Sequence, residues 1–250
     1  MRVRISVCAL LPSMLFCLSA TASPLVAPTT AYTPTSAYVK RSIDGFTVLI
    51  NPELLSHKSE SEEALKEFDT QAIAIVRVVP RKPLAALQKV RIWMEWEQVK
   101  GGGAQFHPSA DWLKANGYNP DKAGCVELSN AVNFVNWSRK QQPCMLLHEL
   151  AHSYHILVLV EEYAGIKAAY RHAMDAKLYD SVDYIDGGKQ KAYATTNEKE
   201  YFAEISEAYF GKNDFYPFTH DELKAFDPMG YQLLLKVWGP VVDRARPASP

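Results

Sequence analysis

The chain has 250 residues, 48% of them apolar and 22% charged, with 27 Lys plus Arg against 28 Asp plus Glu. Disorder requires low hydrophobicity together with high net charge, and this composition has neither. A formal net charge of −1 leaves no bulk field to steer nucleic acid, so no nucleic-acid partner is expected.

At the start, Arg2 and Arg4 precede an apolar run from Ile5 to Leu18, and Ala20-Thr21-Ala22 places small residues where a signal peptidase reads. Residues 1–22 therefore read as a secretory signal. The run is too short for a membrane span and no second long one follows. The mature protein is expected to be secreted, with no membrane association. Residues 23–42, rich in Pro, Thr, Ser and Ala, read as a flexible leader, and 43–250 as a single domain.

Phe46 to Ile50 is a β-branched run that predicts a strand. Ser59-x-x-Glu62 has the form of a capping box, and Leu65, Phe68, Ala72, Ile75 and Val79 then hold helical spacing until Pro80. Val90 to Glu97 alternates, which predicts a strand with one buried face. Gly101-Gly102-Gly103 reads as a turn or mobile loop, and Ser109 to Ala115 as a short helix closed by Gly117. Cys125 to Val135 reads as a strand with an irregular end. Near Asn130 and Asn133 such a strand offers its edge to an extended peptide. Cys125 and Cys144 remain once the signal is removed, and two thiols in an exported chain predict a disulfide. The alternative is a pair of buried free thiols.

From Gln141 onward the pattern is helical. Pro143 suits a first turn, and Met145, Leu146, Ala151 and Ile156 to Val160 predict a buried helix. Tyr163, Ile166, Tyr170 and Ala173 predict another, and Ser181 to Ala192 a loop. Thr195-x-x-Glu198 opens a helix to Phe210, stopped by Gly211. Thr219-x-x-Glu222 and Asp227-Pro228 open two more, the last closed by Gly239-Pro240. Strands first and helices later predict an α+β fold, with a small mixed sheet packed on one central helix and a C-terminal helical part.

His148-Glu149-Leu150-Ala151-His152 is the most informative string. Residues four apart share a helix face, so His148 and His152 can hold one Zn²⁺. Glu149, to the side, is placed as a general base toward water activated by that metal. A catalytic zinc wants a third protein ligand. The metzincin extension fails, because the chain has His155 and Val158 where that class needs Gly and a ligand. A second stripe, Glu200, Glu204 and Glu207, offers the missing carboxylate, although such a stripe is ordinarily a solvated acidic face. His155 reads as packed or solvent-bonded, and His107, His172 and His220 lack metal spacing. Trp93, Trp96, Trp112, Trp137 and Trp238 read as core or rim aromatics.

The zinc string, together with Tyr193-Ala194-Thr195-Thr196-Asn197-Glu198-Lys199-Glu200-Tyr201-Phe202-Ala203-Glu204, resembles the peptidase domain of anthrax lethal factor and the related Pro-Pro endopeptidases, which are gluzincin-type zinc enzymes. The resemblance implies a zincin-like fold, Glu200 as third zinc ligand, Tyr193 as donor to the developing oxyanion and Glu204 as a residue supporting the site. It covers the zinc helix and roughly residues 190–210, with no matching motif from 40 to 130. The expected function is a secreted zinc-dependent metalloendopeptidase with one Zn²⁺ per chain and a peptide or protein substrate. The alternative is a catalytically inactive secreted zinc-binding or interaction domain, against which the intact Glu149 speaks.

Overall fold

The computed structural model describes residues 32–245, so the signal at 1–22 lies outside the described residues. β1 (Val39–Ile43) and β2 (Phe46–Ile50) form a hairpin. Its turn needs positive φ at both Asp44 and Gly45, and a side chain at Gly45 would collide with Gln88. α1 (Pro52–Ser56) and the long α2 (Lys58–Val78) follow. α2 starts at Lys58 with no side-chain cap, so the expected capping box at Ser59 falls inside the helix and does not form. α3 (Arg81–Leu87) leads to β3 (Ile92–Met94), whose three residues are buried on both faces, not on one as expected.

The Gly101–Gly103 stretch is a tight turn packed against Ser129 and the Trp137 ring, and it leads into β4 (Ala104–His107). α4 (Ala110–Ala115) is capped by Ser109. β5 (Cys125–Leu128) is shorter than the expected strand, because the Asn130 side chain accepts from the Asn133 amide and opens α5 (Ala131–Lys140) instead. Sheet order is β1-β2-β3-β5-β4, with β2, β3 and β5 parallel and both edge strands antiparallel. The free edge nearest the helices is therefore β4, not the Asn130 region.

α6 (Met145–Tyr154) carries the His148–His152 string and continues as a π-helical turn (His155–Val160). That turn departs from the buried helix expected: His155 is buried, but Leu157, Val158 and Val160 are exposed. α7 (Ala164–Asp175) and a small hairpin of β6 (Val182–Asp183) and β7 (Lys189–Gln190) follow. α8 (Glu198–Phe210) is capped by Asn197 and not by Thr195. α9 (His220–Phe226) has the expected capping box, and α10 (Pro228–Trp238) is capped by Asp227.

Alternation along the strands separates two faces. Val48, Ile50, Ile92, Met94, Val126 and Leu128 point into the main core with the helices, whereas Leu49, Trp93 and Cys125 join Tyr38 on the opposite face. α8 is buried all round from Tyr201 to Phe210, packed between α6, α7, α9 and α10. The class is mixed α+β.

Two further expectations need correction. Of the leader expected at 23–42, residues 23–31 lie outside the described residues, but from Thr33 on the segment is tied to the fold: Thr33 accepts from Asn51 and Asn119, and β1 begins at Val39. Cys125 and Cys144 are both free. Cys125 lies on the outer sheet face, while Cys144 precedes α6 on the helix side, where its sulfur accepts from the Lys212 amide at 3.3 Å. The sheet stands between them, and burial pushes the Cys144 thiol up to about 12.

Candidate metal centre

The apolar α6 is held in place by Met145, Leu146, Leu147, Leu150 and Ala151, all buried, which points its remaining side toward α8. His148 and His152 stand one turn apart with ring centroids 4.8 Å apart. On α8, Asn197 accepts from the amides of Lys199 and Glu200 at 2.9 and 3.0 Å and fixes the first turn. Glu200 then reaches across the helix pair. Its Oε2 lies 3.1 Å from His148 Nε2 and 3.2 Å from His152 Nε2. Donors around one tetrahedral zinc at its usual bond lengths stand about 3.3 Å apart, which these spacings approach.

His148 Nδ1 is 2.6 Å from Glu207 Oε1 and 3.7 Å from Glu204 Oε1. The supporting bond therefore comes from Glu207, with Glu204 beside it. Sequence spacing put both on one stripe but did not separate their roles. The reading of that stripe as a solvated acidic face is excluded, since Glu204 and Glu207 are at most 1% exposed. Tyr193 opens a 3₁₀ turn (Tyr193–Thr195) that Tyr170 anchors by donating to the Thr195 carbonyl, and its half-exposed ring sits 6.3 Å from that of His148. His155, buried, bonds through Nε2 to the Glu161 carbonyl and takes no part.

His148, His152, Glu200 and Glu204 floor a cleft of about 570 Å³, with Glu149 and Tyr193 on its surface and Phe106, Ile156 and Phe215 in its walls. Asp214, a cleft residue that sequence spacing did not single out, also faces it. Burial would raise the Glu200 carboxyl, but the bonds from His148 and His152 outweigh burial and hold it well below the usual range. Burial would likewise lower His148, yet its bonds to Glu200 and Glu207 raise it well above the ordinary value. Burial first, then the Glu207 charge, push Glu204 well up and Asp214 up to about 7.

The spacing of the three donors suits hydrogen bonds as well as a shared metal. Glu149, Glu200, Glu204, Glu207 and Asp214 surround two imidazoles, and the lysine of the cleft wall, Lys199, is paired with Glu161. Glu207 Oε2, Asn213 Oδ1 and Asp214 Oδ1 are buried without partners. Burial holds Glu204, Glu207 and Asp214 toward their protonated forms, and a cation bound here would take the place of those protons. His148, His152 and Glu200 offer two imidazole nitrogens and one carboxylate oxygen within 4.8 Å, a donor set suited to zinc. No family model, no curated protein and no solved structure matches the chain.

Proposed function

We propose that the chain is a zinc-dependent metalloendopeptidase of zincin-like fold, secreted by means of the signal at residues 1–22. The observation that carries this reading is the convergence of His148, His152, Glu200, Glu149 and Tyr193 on one cleft. Three protein ligands are the number found at catalytic zinc sites, whereas structural sites are closed by four. The resemblance to the lethal factor family supports the roles of Glu200 and Tyr193.

When bound, zinc supplies Lewis acidity at a carbonyl oxygen and makes water nucleophilic near neutral pH. Glu149 accepts the proton of the attacking water and passes it to the leaving amine nitrogen. Burial, and next the Glu200 charge, raise the Tyr193 hydroxyl, so it keeps its proton and can donate to the oxygen that gains charge. Glu207 accepts from His148 Nδ1–H and so turns Nε2 toward the cleft. The Gly103 carbonyl accepts from the Ser129 amide, and antiparallel alternation then turns the backbone groups of Ala104 and Phe106 away from β5. An extended substrate pairs with that edge.

Glu149→Gln separates this reading from the inactive zinc-binding alternative. The variant should keep stoichiometric zinc while peptide hydrolysis falls about 10²–10⁴-fold, the range lost with a general base. Full activity in Glu149→Gln would remove Glu149 from the mechanism. A zinc-loaded wild-type protein that is inert across a peptide library would favour the binding domain.

A further inference from the structure

Beyond His107 the edge strand loses its ability to pair, because Pro108 has no N–H. At that point the surface changes character. Trp112 on α4 is 52% exposed, unusual for the largest side chain, and it is held rigidly. One side of the indole stacks on Tyr118 at 5.7 Å and 23°, and His107 lies nearly parallel at 6.5 Å. His107 is itself fixed by Glu127 at 2.5 Å. The Trp112 amide donates to Ser109 Oγ and its carbonyl accepts from Asn116, so the backbone beneath the ring is tied at both ends.

The ring borders a second hollow of about 320 Å³, which shares Gln105, Phe106 and Pro108 with the catalytic cleft. A peptide leaving the cleft along β4 in this direction meets that hollow next. None of the residues lining it is an acid, a lysine or an arginine. A preorganised aromatic surface of this kind rewards an apolar side chain and loses little conformational freedom in binding it.

We propose that Trp112 forms a distal subsite of the cleft, which takes a bulky apolar side chain of the peptide substrate some residues away from the scissile bond. This rests on the peptidase reading above. The subsite acts on binding and not on the bond being broken, so it belongs in KM and not in kcat.

The test uses one cleavable core peptide and the same peptide extended at either end by a few residues that include Leu or, as control, Ser. With zinc-loaded full-length protein, the Leu extension at one end should lower KM about three- to tenfold relative to Ser, the range an aromatic contact supplies, with kcat nearly constant. Trp112→Ala should erase that difference and leave zinc content and turnover of the core peptide unchanged, while Trp112→Phe keeps part of it. A Leu preference that survives Trp112→Ala, or a penalty equal for core and extended peptides, overturns the subsite while leaving the peptidase standing. If the wild-type protein cleaves no peptide, the peptidase reading fails first and the subsite with it.

Discussion

Two buried polar clusters lie on opposite faces of the same sheet, and they balance charge differently. On the outer face Lys122 donates to Glu95 at 2.7 Å, to Gln98 at 2.7 Å and to Glu127. Tyr38 and Asn51 complete Glu95, and His107 and Gln105 complete Glu127. The Lys122 ammonium also sits 5.5 Å from the Trp93 ring centroid. Each charge there has an opposite partner, as a buried network requires. On the helix face five carboxylates meet two imidazoles and three oxygens have no partner. The first cluster joins the N-terminal segment to the sheet. The second crowds acids between a well-packed α6 and α8, where burial pushes Glu204, Glu207 and Asp214 up, and perturbed groups gathered in one cleft are what a functional site looks like in an otherwise consistent fold.

The contrast is broken most directly by removing a ligand. Glu200→Ala or His152→Ala should abolish stoichiometric zinc, read by metal analysis, with the circular dichroism of the fold retained. Zinc content unchanged in Glu200→Ala would return that carboxylate to a structural role. The opposite lesion is Lys122→Met, which leaves two buried carboxylates unpaired. It should lower stability by about 3–5 kcal/mol in denaturant titration, while the folded fraction still binds zinc. Loss of zinc without loss of stability would erase the distinction between the two clusters.

Smaller effects sharpen it. Tyr193→Phe removes the hydroxyl proposed as donor to the oxyanion and should reduce kcat about 10²–10³-fold with KM nearly unchanged. Near-full kcat in the Phe variant would make Tyr193 a rim aromatic. Glu207→Gln weakens the bond to His148 Nδ1 and should reduce zinc affinity about 10–100-fold in chelator competition. If Glu204→Gln does this and Glu207→Gln does not, the 2.6 and 3.7 Å contacts have been assigned the wrong order of importance.

The helix of His148 and His152 was legible because residues four apart share one helix face, and the apolar flank of Met145 to Ala151 pointed to its burial. Glu200 was legible through the family resemblance, and Glu207 only as a member of the stripe. Which stripe member faces His148 depends on how α6 and α8 cross, which no local pattern encodes. The strand β4 was missed because the alternation of Ala104-Gln105-Phe106-His107 runs for only four residues directly after three glycines, and pairing with β5 is what makes it a strand. The disulfide was misread for a similar reason: nineteen residues of separation say nothing about which side of a sheet each thiol takes. Asn130 was read as an irregular strand end, although an Asn ahead of Ala131 to Val135 is also a helix-cap signal.

Glu200 is the third residue of α8, and the amide of that residue is one of the two that Asn197 accepts. The end turn of a helix is where local opening is cheapest, on a timescale far shorter than global unfolding. If zinc binds through Glu200 as proposed, fraying of this one turn offers it a path of release, and a neutral amide side chain sets the frequency of that opening. Loss of a cap is worth about 1 kcal/mol, so Asn197→Ala should populate the open turn about fivefold more often. Ion dissociation should quicken by a similar factor, with amide exchange at Lys199 and Glu200 rising in step. The residence time of the metal would then be set by a residue that never touches it.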